Sequence, residues 1–465
     1  LAPMLVGFKA DPDLWGHTRF GLDILESRSL PKVDPYSFTQ DVSWINHEWL
    51  SELLMGAAYH LGGTVGLVLL RTALLGGFIA VCWWSVRTAS VPVIAGTALL
   101  LAWGTASVTQ TLRPQLWTLL FVAVLSAAFV QGARPVWLVG LPILFVVWVN
   151  THGGWLVGAG MLGVWAIANG MAGRVDRRLL VGLVAFVGVA TLANPYGWGM
   201  WDFLARTVRF ARNVDEWQPL FTKPVVDWIP WLVAVLAVIH CTWRKRLSWD
   251  RLAVLAVLAF ASVQVSRIAP LFVTAAAILL QPSLSGVAEV RPAPMPAPSM
   301  QTVRVLLGAL LLMAVISALL VIRVAQCISI SGPWIPDRRA AAALVQAPAH
   351  GRMVTWFNWG QYALWHVSPR LRVSMDGRRE TIYSEIFLDE HFELYRATPR
   401  GQALFQRLNA DVVWLPSYLT DLREWLPSQG YRIDVQTAGS FIAVREDQPR
   451  ITEASLTTPA CFPGP

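Results

Sequence analysis

Apolar runs of bilayer-crossing length recur through the first 325 residues, at about 64–86, 91–109, 114–132, 135–150, 154–172, 178–194, 228–243, 250–265, 268–282 and 302–325. Crossing a membrane takes about 20 residues as a helix, with some allowance for tilt. The stretch from 250 to 282 is too long for one crossing, and Arg267 with Pro270 divides it in two. A bilayer interior leaves no water for backbone amides, so such runs must be helical. Leu1 to Ala10 are apolar apart from Lys9 and too few to cross. They read as the outer end of a first span whose beginning is missing, which brings the expectation to about 11 spans.

Charge is distributed to match. Only 14% of the chain is charged, where a soluble protein of this length would carry about a quarter. The charge is thin up to residue 325 and returns afterwards. The expected organisation is therefore an α-helical polytopic membrane domain at 1–325 followed by a small soluble α/β domain at 326–465. The formal charge of +8 does not indicate nucleic acid, because the arginines stand at the ends of apolar runs rather than along one face. One set of loops carries Arg87, Arg134, Arg174, Arg177, Arg178, Arg244, Lys245, Arg246, Arg251 and Arg291. By the positive-inside rule this set is cytoplasmic. The loop at 201–223 opposes it with Arg206, Arg209, Arg212 and Lys223. On this assignment residues 11–63 and the tail after 326 share the outer side of the membrane.

The first outer loop is long and patterned. Residues 14–27 and 46–61 have apolar positions at three- and four-residue spacing and read as two interfacial helices. In the tail, RMVTW, LRVSMD, DVVWL, YRIDV and FIAVR read as strands, and 337–347, 384–396, 400–409 and 416–428 as helices. A Pro-rich linker lies between Gly286 and Arg304. Of the four cysteines, Cys82 and Cys241 fall in apolar runs, while Cys327 and Cys461 fall in the soluble part, where an oxidising compartment would let them pair.

Polar clusters stand out against the apolar background: Asp11 to His17, Asn46 to Trp49, Arg71, Arg113 to Gln115, Asn150 to Gly154, Asn194 to Gly197, Glu216 to Pro219, and Arg267. All fall on the outer side or close to it, whereas independent loops would scatter them over both faces. Each also has a structural reading. Asp11 or Asp13 could cap the following helix, Glu48 could favour a helix start, and Asn194-Pro195-Tyr196-Gly197 is a turn signal. His152 is not required by turn chemistry. Arg71 lies well inside an apolar run, where an unpaired charge costs about 2.5–3.5 kcal/mol. A carboxylate such as Glu52 or a phosphate is its natural partner. Trp356, Trp359, Tyr362 and Asp376-Gly377-Arg378-Arg379 suit either saccharide stacking or a small domain's core and turn.

With a partial first span, a long outer loop with two interfacial helices, DPDLWGH at 11–17 and HEWL at 47–50, the chain resembles the type C glycosyltransferase superfamily. It is most similar there to bacterial membrane proteins of the dolichyl-phosphate-mannose and aminoarabinose transferase type. The resemblance implies a polyprenyl-phosphate sugar as donor, with membrane lipids as surroundings. It makes Asp11 or Asp13 the general base, or in a metal-dependent branch the ligands of a divalent ion. Glu48 joins the catalytic set. His17, His47, Arg71, Arg113, His152 and Arg267 become substrate-binding residues, the arginines holding the departing lipid phosphate. Two other classes compete. A transporter or flippase would place polar groups near the midplane and show paired repeats, and neither is visible. A non-catalytic scaffold would tolerate loss of Asp11 and Asp13.

Overall fold

The structure is a computed structural model and describes residues 8–132, 134–209, 215–285, 327–454 and 460–465. The last expected span, at 302–325, and the Pro-rich linker lie outside them. The chain divides into two compact units. One takes Leu1–Phe8, Val65–Trp201 and Arg212–Gln326; the other takes Lys9–Thr64, Asp202–Ala211 and Cys327–Pro465. The second unit thus gathers the first long loop together with the tail.

The first unit is helical. Its elements include Val91–Gly104, Gln115–Gln131, Pro135–Thr151, Trp155–Met171, Arg177–Ala190, Val225–Trp243, Trp249–Gln264 and Ala269–Leu279. Each expected apolar run within the described residues is helical, and 91–109 breaks after Gly104 before a short turn of helix at Ala106–Thr109. Ala269–Leu279 is buried at every position and packs against Gln115–Gln131, Trp249–Gln264, Val225–Trp243 and Val91–Gly104. The approach is close at Gly104, where an added Cβ would come within 2.7 Å of Val273. Outward positions are apolar as well: Leu99, Ile143, Phe186, Ile239 and Phe260 are all exposed. Helices apolar on every side belong to a deep interior or to a lipid environment. Among the described residues, Trp49–Val86 and Val225–Trp243 combine the length and hydropathy that crossing needs, while the other apolar helices are shorter.

An interfacial helix at 46–61 and a separate span at 64–86 were expected, and Trp49–Val86 consists of two helices that meet in a kink at Gly63 (φ 56°, ψ −139°). That conformation is accessible in practice to glycine alone. At the chain start, Lys9–Ala10 is not the end of a helix but a short strand, β1, parallel to β2 at Ser329–Ile330.

In the second unit, all five strands read from the tail form one sheet. β3 (Gly351–Thr355) lies between β4 (Leu371–Val373) and β5 (Val412–Pro416), both parallel to it. β7 (Ser440–Arg445) runs antiparallel to β5 and forms a hairpin with β6 (Tyr431–Gln436). β5 is buried along its whole length, as expected of a central strand that reads as an unbroken apolar run. The helices Arg338–Gln346, Glu385–Tyr395 and Pro399–Leu408 fall where expected, and Gly360–Val367 is an addition.

This addition packs on Leu14–Ser27, the first helix of the loop. Its Gln361 lies so close to Gly16 that a Cβ there would meet its Oε1 at 2.1 Å. The loop is further locked by Arg378, which donates to both oxygens of Asp34 (2.7 and 2.8 Å) and to Asp376 (2.6 and 2.9 Å). The rings of Phe20, Tyr36 and Trp44 surround its guanidinium at 4.7–5.3 Å. Burial alone would lower the Arg378 pKa, but the two carboxylates raise it well above the ordinary value. The Asp376 to Arg379 segment is therefore a lock and turn, and Trp359 and Tyr362 are buried. Cys327 and Cys461 are joined in a disulfide.

Candidate functional site

Two polar clusters form, one within each unit. In the second unit the DPDLWGH segment turns the chain from β1 into Leu14–Ser27. Asp11 Oδ1 accepts from the backbone amides of Asp13 (3.1 Å) and Leu14 (3.0 Å), so Asp11 does cap the helix. Asp13 occupies the N-cap position without a side-chain capping bond. Its Oδ1 approaches Gly377 so closely that a Cβ there would fall 2.5 Å away.

One turn further on, His17 faces the start of Trp49–Val86. Its Nδ1 stands 3.0 Å from Glu52 Oε1 and 4.0 Å from Glu48 Oε2. Asn46 donates to the other Glu52 oxygen, and its own Oδ1 accepts from the Glu48 amide at 3.2 Å. His47 Nε2 is 3.6 Å from Glu48 Oε1, and its ring lies against Phe203. Burial alone would depress His17, but the hydrogen bond to Glu52 and the charges of Glu48, Glu52 and Asp13 outweigh it and raise the pKa to about 9. At neutral pH the cluster is an imidazolium held between carboxylates. His17, Glu48 and Glu52 can also bring one ligand atom each within 4.8 Å of one another. Imidazole with carboxylates suits a borderline divalent ion such as zinc. The expected ligand pair was Asp11 and Asp13; this trio is the group with ligand spacing among the described residues. Glu52 was the residue sequence reasoning undervalued. Its place four residues after Glu48, on the same helical face, was the available signal.

In the first unit three candidate residues converge on Glu216. Arg113, at the entry to Gln115–Gln131, donates to Glu216 Oε1 at 2.8 Å. Arg267, in the turn before Ala269–Leu279, has Nη1 3.5 Å from Glu216 Oε2. Its Nη2 lies 3.5 Å from Nε2 of His152, the residue that ends Pro135–Thr151. His152 Nδ1 is 2.7 Å from Thr118 Oγ1, which also accepts from Trp148 Nε1. Trp217 faces the Arg267 guanidinium at 5.7 Å. Burial would raise the Glu216 carboxyl, but Arg113 and Arg267 outweigh that and hold it below its ordinary value. Two guanidiniums around one carboxylate make a geometry that accepts an anion.

Arg71 is fully buried and donates through Nε to the Thr109 carbonyl at 3.0 Å, with the Phe8 ring 4.9 Å from its guanidinium. It thereby holds the segment that leads to Arg113. Asn194 caps its own turn by accepting from the Tyr196 amide at 2.8 Å, and Asn150 donates to the Ala193 carbonyl at 2.8 Å. Asn194 and Asn150 are architectural.

No family model and no curated protein matches the chain. Among solved structures it is similar to ArnT from Cupriavidus metallidurans, an aminoarabinose transferase, in the apo state. The TM-score is 0.52 at 14% identity, over 94% of this chain and 94% of that one. The same enzyme bound to undecaprenyl phosphate gives 0.51 at 14%, over 95% of each chain. The chain shares the fold of that enzyme. At this identity the likeness carries over to the architecture alone.

Proposed function

We propose that this chain is a multi-pass inner-membrane glycosyltransferase. It moves a sugar from a polyprenyl-phosphate donor to an acceptor on the outer side of the membrane. The observation that carries the reading is the convergence of Arg113 and Arg267 on one carboxylate, in a fold whose ArnT representative was solved with undecaprenyl phosphate bound. The disulfide supports an oxidising compartment for the tail and for the loop grouped with it, because such bonds are rare where thiols are kept reduced.

In this reading the donor's anomeric carbon is attacked by an acceptor oxygen or nitrogen. A carboxylate of the first loop takes the acceptor's proton. The bond from the anomeric carbon to the phosphate oxygen breaks, its electron pair stays on that oxygen, and the phosphate departs with one more negative charge. Stabilising that charge is work for fixed guanidiniums. Arg113 and Arg267 take that role, with His152 beside them. Asp13 is the first choice for base, since Asp11 spends an oxygen on its helix cap. Glu48 and His47 contact the acceptor, and His17 orients Glu52 through a 3.0 Å hydrogen bond. A divalent ion, if one is used, would sit on His17, Glu48 and Glu52 and add positive charge near the acceptor.

The test is transfer or hydrolysis of a radiolabelled undecaprenyl-phosphate sugar by the full chain in nanodiscs. Asp13→Asn and Glu48→Gln should each lower turnover by about two orders of magnitude or more with the thermal transition preserved. Full activity in both variants would remove these two carboxylates from the chemistry, and no turnover by the unmodified chain would favour the scaffold reading.

A further inference from the structure

The charge count around Glu216 goes beyond holding a phosphate. Arg113 and Arg267 bring two positive charges and Glu216 returns one negative charge. The three form a set with net charge +1. The site is open enough for exchange: the Glu216 side chain is 44% exposed, against 18% for Arg113 and 27% for Arg267. The carboxylate belongs to the short turn Asp215–Trp217, which is tied independently through its backbone. Ser266 Oγ donates to the Glu216 carbonyl at 3.0 Å, and the Ser266 amide donates to the Gln218 carbonyl at 3.0 Å. The side chain is thus free of the duty of holding its own turn. Arginine pairs that only needed to hold a phosphate would gain nothing from a resident carboxylate, which competes with the ligand for the same donors.

Resting on the transferase reading, we infer that Glu216 sets which phosphate the arginine pair prefers, weakening the spent carrier more than the donor. A polyprenyl-phosphate sugar is a phosphodiester with one negative charge. The lipid left after transfer is a monoester, carrying about −1.5 to −2 at neutral pH. Two unopposed guanidiniums would hold that product hardest, and its release would then limit turnover. A fixed negative charge among them subtracts from the affinity of both lipids and subtracts more from the more highly charged one. The carboxylate also takes up the Arg113 and Arg267 donors as the product leaves, so neither guanidinium is left without an acceptor between cycles.

The experiment uses the full chain in nanodiscs, with undecaprenyl phosphate as the monoester probe and its methyl phosphodiester as the donor-like probe. Glu216→Gln keeps a hydrogen-bond acceptor and the side-chain shape. Asp215→Asn, one residue away and outside the cluster, controls for a general field effect. In Glu216→Gln the monoester should bind on the order of tenfold more tightly, the diester gain being clearly smaller. Under turnover the same variant should show a lower KM with a lower kcat and stronger product inhibition, and Asp215→Asn should do none of this. An unchanged monoester-to-diester ratio in Glu216→Gln would overturn the inference and leave Glu216 a structural tie, with the transferase reading intact. If the unmodified chain binds neither probe, the transferase reading falls, and this inference with it.

Discussion

At the scale of single residues, His17 decides what kind of site the first loop contains. Its pKa is raised to about 9 from 6.5 by Glu52, Glu48 and Asp13 against the effect of burial. A base whose folded pKa is raised contributes stability that is fully present below its unfolded pKa. That contribution fades as pH rises through 6.5 towards 9 and is absent above. The melting difference between the unmodified chain and His17→Gln should therefore be largest near pH 6 and shrink steadily up to pH 9. A metal-bound His17 predicts the opposite trend, because ligation needs the neutral ring and strengthens as protons leave. Thermal unfolding with and without a chelator, across that pH range, separates the two. The sequence already pointed to His17, Glu48, Arg113, His152 and Arg267, because each is a polar group set close to apolar runs. It gave no means of pairing them. Glu52 and Glu216 complete the two clusters, and His17 and Arg113, which they bind, lie 35 and 103 residues away along the chain. Asp11 shows the converse: its helix-capping role was readable from its position before an amphipathic helix, and the structure has it.

At the scale of elements, apolar periodicity located nearly everything and connected little of it. The helix positions of the first unit and the five strands of the tail follow from runs of side chains, which are local. The sheet order β4-β3-β5-β7-β6 and the pairing of β1 with β2 depend on partners more than a hundred residues away in the second case. The stretch Trp49–Val86 shows how far local reading reaches. An amphipathic stretch and an apolar stretch read as two helices because their patterns differ, and the break between them falls at a single residue, Gly63. That residue carries a prediction. Gly63→Ala would force a side chain into a left-handed conformation with an extended ψ, costing about 1–3 kcal/mol, while Gly62→Ala should be neutral or mildly stabilising. The melting transitions of the two variants in the same detergent read this directly. Equal transitions would mean that the break does not depend on glycine.

At the scale of the whole molecule, the question is which compartment the second unit occupies, and the disulfide is the observation that bears on it. Cys327 and Cys461 are 134 residues apart in sequence, so their bond closes a long loop and, on the chain-entropy model, stabilises the unit by about 4–5 kcal/mol. The arginine count in the loops predicts an outer position for the same unit by an independent route. Labelling tests sidedness without relying on either. Cys327→Ser leaves Cys461 as a thiol, and the remaining cysteines, Cys82 and Cys241, are buried. In intact spheroplasts a membrane-impermeant maleimide should label this variant and should leave the unmodified chain unlabelled until it is reduced. Labelling of the variant only after permeabilisation would put the tail on the cytoplasmic side. There the thiols would stay reduced, and a base in the first loop could not serve an acceptor beyond the membrane. Sidedness, the disulfide and the proposed chemistry therefore stand or fall on one gel.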